Sequence, residues 1–299
     1  MFRRFLIPAV RLDTAQDPIV NLDGQGVRFE WSIERDNTNK VDRGTVSIFN
    51  LDPKIRGAIH EAWRILSEAS GYLVTFSLGW DRIPVRSLVG DVFDLDPDRR
   101  TPTDVITTFQ IGDGNKKARD QSLVQGFKNV SLDIVLEWLV QLPPAPADAG
   151  GGGLGLLYPP ESKALIKAAQ AELPLLTFSN IPPGAGVKDA IDIIMETLGL
   201  EWRIHNGAFI ALRGGMINRP GFILRPSTGL IEYAKRNDGG CSLVAYANPE
   251  IEPGIQILVQ DDRGRPFGAP VYRTEKVSFR GTSAGESIMN IEGGRPLGT

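Results

Sequence analysis

The sequence predicts an α+β fold, predominantly β, in which two similar β-barrel domains flank a small α/β middle domain. Three observations carry this. The 299 residues include 33 glycines and 21 prolines, a turn density that implies many short strands. Apolar and polar residues alternate in the first and last parts of the chain. Between them the spacing turns helical and a Pro/Gly-rich stretch intervenes. The predicted boundaries are 1–113 for the first β domain, 114–214 for the α/β domain and 215–299 for the second β domain.

The start of the chain, Met1 to Val10, has two arginines and a short apolar run. Pro8 and Arg11 cut that run short and no small-residue cleavage site follows at once, so it is assigned to a first strand and not to a signal peptide. Val27, Phe29, Trp31 and Ile33 alternate with Arg28, Glu30 and Ser32, the pattern of a half-buried strand, and Val46 and Ile48 continue it after Gly44. Further strands are expected at Tyr72 to Leu78, Ser87 to Phe93 and Asp104 to Ile111. One helix interrupts them. Asp52 suits its N-cap and Pro53 its first turn. Ile55, Ala58, Ile59, Ala62, Trp63 and Leu66 share one face, and Gly71 suits its end.

In the middle domain, Ser131 suits the cap of a helix whose apolar face is Leu132, Val135, Leu136 and Leu139. Residues 143–155 combine Pro143, Pro144 and Pro146 with Gly150 to Gly153, a linker or exposed loop. A further helix carries Val187, Ala190, Ile191, Ile194 and Leu198, stopped by Gly199. A hairpin follows, with Trp202 and Ile204 before Asn206-Gly207 and Phe209 and Leu212 after it. Asn-Gly between alternating apolar residues is the strongest short-range hairpin signal. The last domain has expected strands at Ser242 to Tyr246, Gln256 to Gln260, Val271 to Phe279 and Ser287 to Ile291, with a turn at Arg263-Gly264. No tandem repeat is visible.

Composition narrows the function classes. A formal net charge of −3 argues against a dedicated nucleic-acid binder, which needs many phosphate-neutralising cations. Cys241 is the only cysteine, so no internal disulfide forms and a reducing compartment of synthesis is expected. No run of about 20 apolar residues is present, so no membrane span is expected.

Catalytic signatures fail on their own requirements. Gly281-Thr282-Ser283-Ala284-Gly285 fits G-x-S-x-G, but that motif needs a later acid and then a histidine. The only histidines, His60 and His205, precede it. Gly150, Gly152 and Gly155 fit G-x-G-x-x-G but follow a Pro-rich stretch where a dinucleotide fold needs a strand. Asp94, Asp96 and Asp98 begin like a calcium loop. Its sixth and twelfth positions are Arg99 and Val105 where Gly and Glu are required, so a solvated turn is expected, with a weak ion site between subunits left open. Two histidines and one cysteine are too few for zinc without carboxylates. Asn129-Val130-Ser131 is a glycosylation sequon without secretory context. No catalytic residue, cofactor or metal ligand is assigned, and no enzyme is expected.

Three stretches, in order, resemble one family. The first is Gly44-Thr45-Val46-Ser47-Ile48-Phe49-Asn50-Leu51-Asp52-Pro53, followed after the helix by the strand Gly71 to Leu78 ending in Gly79-Trp80. The second is the helix and hairpin from Val187 to Leu212, with Leu198-Gly199-Leu200-Glu201-Trp202. The third is Ser227-Thr228-Gly229-Leu230-Ile231, then Asn248-Pro249-Glu250-Ile251-Glu252-Pro253-Gly254. Together they resemble the baseplate hub proteins of contractile phage tails, over residues from about 27 to 281. Many relatives carry His-Gly-Asp late in the second barrel, where this chain has Arg280-Gly281-Thr282. Asn50, Asp52, Pro53, Gly229, Pro249, Pro253 and Gly254 are read as structural turn residues.

The resemblance implies a homotrimeric ring. Its two barrels per copy would meet a six-fold tail tube, and its other face a three-fold spike. It implies the tube protein, the spike and other baseplate proteins as partners. Phage DNA would pass through a mildly acidic channel without specific binding. The implied location is the virion tail baseplate, after synthesis in the host bacterial cytoplasm. Alternatives are a tail-tip or adaptor protein of a non-contractile phage, the hub of a tailocin, and, least supported, a cell-wall hydrolase of the tail tip.

Overall fold

The computed structural model describes residues 5–6, 10–13, 18–21, 28–36, 42–66, 72–80, 83–101, 103–113, 123, 126–141, 153–173, 178–215, 217, 219–269, 271–283 and 287–294. The chain forms two compact units, one from residues 1–112 together with 215–299, the other from residues 113–214. The first part contributes β1 (Phe5–Leu6), β2 (Val10–Asp13), β3 (Pro18–Asn21), β4 (Phe29–Asp36), β5 (Arg43–Phe49), α1 (Pro53–Leu66), β6 (Tyr72–Trp80), β7 (Ile83–Arg100) and β8 (Val105–Gly112). The inserted unit contributes β9 (Phe127–Ser131), α2 (Leu132–Gln141), α3 (Pro160–Glu172), β10 (Phe178–Ile181), α4 (Val187–Thr197), β11 (Leu200–His205) and β12 (Ala208–Arg213). The last part adds β13 (Arg219–Leu224), a 3-10 turn at Pro226–Thr228, β14 (Leu230–Lys235), β15 (Cys241–Tyr246), β16 (Ile255–Val259), β17 (Tyr272–Thr282) and β18 (Ile288–Gly294).

The fold is predominantly β, and its two β-rich ends share one sheet. The strand order is β14-β15-β18-β17-β4-β5-β8-β7-β6-β2-β3, with β1 on β6 and the β13–β16 pair on β17. Among the described residues, neither end closes on itself by backbone pairing. The junction is the antiparallel pair β17–β4, from Lys276 opposite Asp36 to Thr282 opposite Glu30. Strand alternation explains the core. Trp31, Ile33, Val46, Ile48, Phe109, Ile111, Leu243, Val277, Phe279, Met289 and Ile291 all point inward and form one buried cluster drawn from both ends of the chain.

One inward position carries a charge. Arg35 is 1% exposed, and its Nε lies 3.4 Å from the buried carboxylate of Asp42. Its Nη1 donates to the Pro249 carbonyl at 3.0 Å, and its guanidinium sits 5.2 Å from the Phe279 ring centroid. A buried cation must be paired and hydrogen-bonded to persist. Here the partners come from the β4–β5 connection, the 248–250 turn and β17, so the charge ties the two chain ends together.

Three expectations are corrected. The turn expected at Asp94 to Asp98 is strand: β7 runs from Ile83 to Arg100. Its register to β8 shifts between Val92 and Asp94 and between Asp96 and Arg99, so Pro97 falls in an irregularity where its missing N–H interrupts no regular ladder. The chain turns later, where the Thr101 and Asp104 amides bond to the Asp104 carbonyl and Thr101 Oγ1, each at 2.9 Å. Ala58 is exposed, and the buried stripe of α1 includes Ile59 and the half-buried Ile55; Ala62, Trp63, Leu66 and Gly71 lie outside the described side chains or residues. Of the expected loop at 143–155, only residues 153–155 are described. Leu154 there is fully buried, its amide bonded to the Leu139 carbonyl at 2.7 Å, because this end of the stretch packs along α2.

In the inserted unit, α2 buries Leu132, Val135, Leu136, Leu139 and Val140, and α4 buries Val187, Ala190, Ile191, Ile194 and Met195. The β11–β12 hairpin turns at Asn206 (φ 51°) and Gly207 (φ 76°). Two successive positive φ values define the turn whose twist matches flanking strands. Ser131 uses its hydroxyl differently from a backbone cap: it donates to the Asp133 carboxylate and accepts from Gln170 Nε2 at 2.9 Å. The helix α3 was not expected. It begins at Pro160 and buries Ser162, Ile166 and Ala169, with Ser162 Oγ accepting the Ala211 amide at 3.1 Å.

Candidate interaction surfaces

The outward residues of the sheet form an extended polar face. Cross-strand pairing aligns Tyr246, Ile288, Arg280, Ser32, Thr45, Gln110 and Asp94 in one row. The next rows align Glu232, Val244, Asn290, Ser278, Glu34 and Arg43, and Thr282, Glu30, Ser47, Thr108 and Asp96. Ser47 and Thr108 share a hydroxyl bond of 3.0 Å, Gln110 Nε2 donates to Asp94 at 2.9 Å, and Lys276 pairs with Glu34. Hydroxyls and amides dominate, and carboxylates outnumber the arginines of these rows. Like charge along such a face repels phosphate, and neutral polar groups offer it no strong anchor.

A second surface lies at the β13–β14 end. Asp261 Oδ1 accepts the amides of Arg263 and Arg265, each at 2.9 Å, and its Oδ2 accepts Arg265 Nε at 2.7 Å. These bonds, the Arg265 amide foremost, hold the Asp261 carboxyl below the usual carboxylate range. Asp262 accepts the Ser227 amide at 3.0 Å, which fastens this loop to the 3-10 turn. Arg225 Nη2 donates to Gln260 at 2.8 Å. Phe267 stacks on Tyr233 with ring centroids 5.5 Å apart, and Tyr233 shares a 3.0 Å hydroxyl bond with Tyr272. The large apolar side chains of the sheet unit that are exposed among the described residues are Ile223, Ile231 and Phe267, and all belong to this end. In the sequence Arg263-Gly264 registered only as a turn; the Asp261-x-Arg263-Gly264-Arg265 spacing and the isolated Phe267 were the available signals.

The turn residues singled out in the sequence stand at separate corners. Asn50 (φ 53°) donates through Nδ2 to Asp104 at 2.7 Å and accepts the Val105 amide at 3.0 Å. Asp52 accepts the Lys54 amide at 2.8 Å, just before Pro53 opens α1. Gly229 (φ 108°) follows the 3-10 turn. Asn248 Oδ1 accepts the Glu250 amide at 3.1 Å around Pro249. After Pro253, the Gly254 amide donates to the Thr274 carbonyl at 2.8 Å. These residues fall in three connections, between β5 and α1, before β14, and between β15 and β16.

Reactive side chains are likewise dispersed. Ser283 Oγ accepts the Phe29 amide at 3.1 Å at the end of β17. His60 lies on α1, His205 ends β11, and Cys241 is buried at the start of β15, where burial pushes its thiol up to about 12. Among the described residues no group of His, Cys, Asp or Glu could hold a metal ion, and no helix is long and apolar enough to cross a membrane.

No family model matches the chain, and no curated protein matches it in sequence. Solved structures do match in fold. The 43 kDa tail protein of prophage MuSo2 from Shewanella oneidensis superposes with a TM-score of 0.59 at 10% identity, over 97% of this chain and 98% of that one. A tail protein from Neisseria meningitidis MC58 gives 0.53 at 12% identity, over 95% of each chain. An E. coli component of the type VI secretion system, described as structurally similar to bacteriophage T4 tail proteins, gives 0.53 at 10% identity, over 96% of this chain and 76% of that one. The chain therefore has the fold of phage tail proteins along nearly its whole length.

Proposed function

We propose that this chain is a structural component of a phage tail and, within the tail, a baseplate hub subunit. The observation that carries the reading is the end-to-end fold likeness to tail proteins, which leaves little of this chain for an added catalytic domain. In this reading the strips β14-β15-β18-β17-β16-β13 and β4-β5-β8-β7-β6-β2-β3 act as two barrel-like hub domains, with residues 113–214 as the middle domain. Three copies form a ring, and the two strips of each copy match a six-fold tube above a three-fold spike. The polar outward face lines the channel, where its acidic bias keeps DNA from adhering. The turn residues Asn50, Asp52, Pro53, Gly229, Pro249, Pro253 and Gly254 fix the loops that meet the neighbouring proteins. The partners are the second and third copies, the tube protein, the spike and other baseplate proteins, and the mature location is the tail.

A related reading, the hub of another contractile injection machine such as a tailocin, is favoured by the likeness to the type VI secretion component. Deleting the coding sequence in the producing strain tests the role. The expected result is tubes and spikes that fail to join, with joining restored by complementation. Intact, functional tails without the protein would refute it.

A further inference from the structure

We propose that Asn206 is a site of covalent modification: it deamidates through a succinimide, at a rate set by how firmly Asp113 holds the hairpin turn. Asn206-Gly207 is the one Asn-Gly pair in the sequence. In such a pair the backbone nitrogen of the second residue attacks the side-chain amide carbon of the first, and glycine leaves that nitrogen unshielded. The bond from Gly207 N to Asn206 Cγ forms and the Cγ–Nδ2 bond breaks. Nδ2 leaves as ammonia, taking up the proton that the Gly207 amide gives up. Water then opens the ring at either carbonyl, giving aspartate or isoaspartate.

The folded hairpin holds this chemistry back at three points. Asn206 and Gly207 have positive φ values of 51° and 76°. The first central residue of such a turn has ψ of about +30°, which sets the next nitrogen almost opposite Cβ about the Cα–C bond. Ring closure needs the two eclipsed, so the peptide plane must rotate far from where it stands. Asp113, buried at 2% exposure, opposes that rotation: its Oδ1 and Oδ2 accept the Gly207 amide at 3.1 and 3.3 Å. Its negative charge also makes the amide harder to deprotonate, and the deprotonated nitrogen is the one that attacks. The Asn206 side chain is held as well, with Nδ2 lying 3.0 Å from His205 Nε2. The product does not fit the same turn. Isoaspartate adds a methylene to the main chain of a two-residue loop whose length fixes the His205–Ala208 register. Either product adds a negative charge one residue from the amide that Asp113 holds. The Gly207 carbonyl accepts the Leu157 amide at 3.0 Å, so modification also loosens the hairpin from the chain beside it.

Incubation of the full chain at mildly alkaline pH, then brief trypsin digestion and mass spectrometry of the peptide Ile204 to Arg213, tests this, because Asn206 is the only asparagine in that peptide. The expected result is fast conversion in the urea-unfolded chain and conversion at least about tenfold slower in the folded wild type. Asp113→Ala should lose most of that protection, and Asp113→Asn, which keeps an acceptor without the charge, should fall between them. Leu136→Ala, in the α2 core, compared at equal unfolding free energy, should accelerate conversion less than Asp113→Ala. Equal acceleration in Leu136→Ala assigns the protection to global folding and overturns the role of Asp113, as does a wild-type rate in Asp113→Ala. An Asn206 that survives in urea overturns the modification site. A Gly207 amide unprotected from hydrogen exchange in the wild type overturns the clasp, even where Asp113→Ala fails to fold. Each of these outcomes leaves the tail role to the deletion phenotype.

Discussion

The sheet unit and the inserted unit are stabilised on different length scales. In the inserted unit the contacts run from a hairpin closed by Asn206-Gly207 and α4 running directly into β11 to the β9–β10 pair, whose paired residues Phe127 and Ile181 lie 54 positions apart (181 less 127). In the sheet unit the decisive contact is β4 with β17, whose paired residues Ile33 and Phe279 lie 246 positions apart (279 less 33). Local contacts form at little loop-closure cost, whereas such a pairing rewards the chain only after both ends are ordered. The inserted unit is thus an excursion from a sheet whose two halves join only when both ends are present.

Dividing the chain sets this difference its hardest test. Residues 113–214 alone are expected to give a cooperative melt and a folded circular dichroism spectrum. Residues 1–112 alone are expected to be unfolded or aggregated, because β4 loses its partner edge, and to recover on co-expression with 215–299. Autonomous folding of 1–112 would break the comparison. Next in size is Phe279→Ala, expected to cost about 3–5 kcal/mol in denaturant unfolding of the sheet unit. Arg35→Met follows at about 3–5 kcal/mol, since it leaves the Asp42 carboxylate buried without its cation, while the double change Arg35→Met with Asp42→Leu should recover much of the loss. Asp52→Ala should cost only about 1 kcal/mol, the usual worth of an N-cap.

Cys241 offers a probe specific to the sheet unit. Its thiol is raised to about 12 by burial, so a thiolate-selective reagent at pH 8 should label it only through opening of that unit. Labelling should accelerate in Phe279→Ala and be unaffected by Gly207→Val in the inserted hairpin. Finally, Asp261 is held low in the folded loop. Its contribution is present above the unfolded carboxyl value and is lost as pH falls through the lowered folded value, so loop order should persist below the ordinary aspartate range. Amide exchange at Arg265 across acidic pH checks this.

What the sequence disclosed follows the same division. Asp52-Pro53, the α4 stripe and Asn206-Gly207 are local signals, and each element forms where its residues place it. The alternation of Phe29, Trp31 and Ile33 revealed which face of β4 is buried, but nothing in it names β17 as the partner. Asp94-x-Asp96-x-Asp98 looked like a turn because Pro97 and acids break local strand propensity; the ladder to β8 overrides that through two register shifts. The helix α3 was hidden by the Pro/Gly-rich stretch before it, although Pro160 and the spacing of Ser162, Ile166 and Ala169 were visible. Strands β13 and β14 escaped notice because Gly221 and the exposed pattern of 230–235 weaken their periodicity. At Gly221 an added Cβ would lie 1.3 Å from the Gln256 carbonyl oxygen, a close approach set by a strand 35 residues away (256 less 221). The polar face and the arginine loop depend on such long-range pairing, so neither was legible as a site.

The most direct test of the account is a three-dimensional density map of the assembled tail tip that contains this chain. The account predicts three copies closed in a ring, with Ser32, Thr45, Gln110 and Ser278 facing a central channel. A single copy with that polar face turned away from any channel would contradict it.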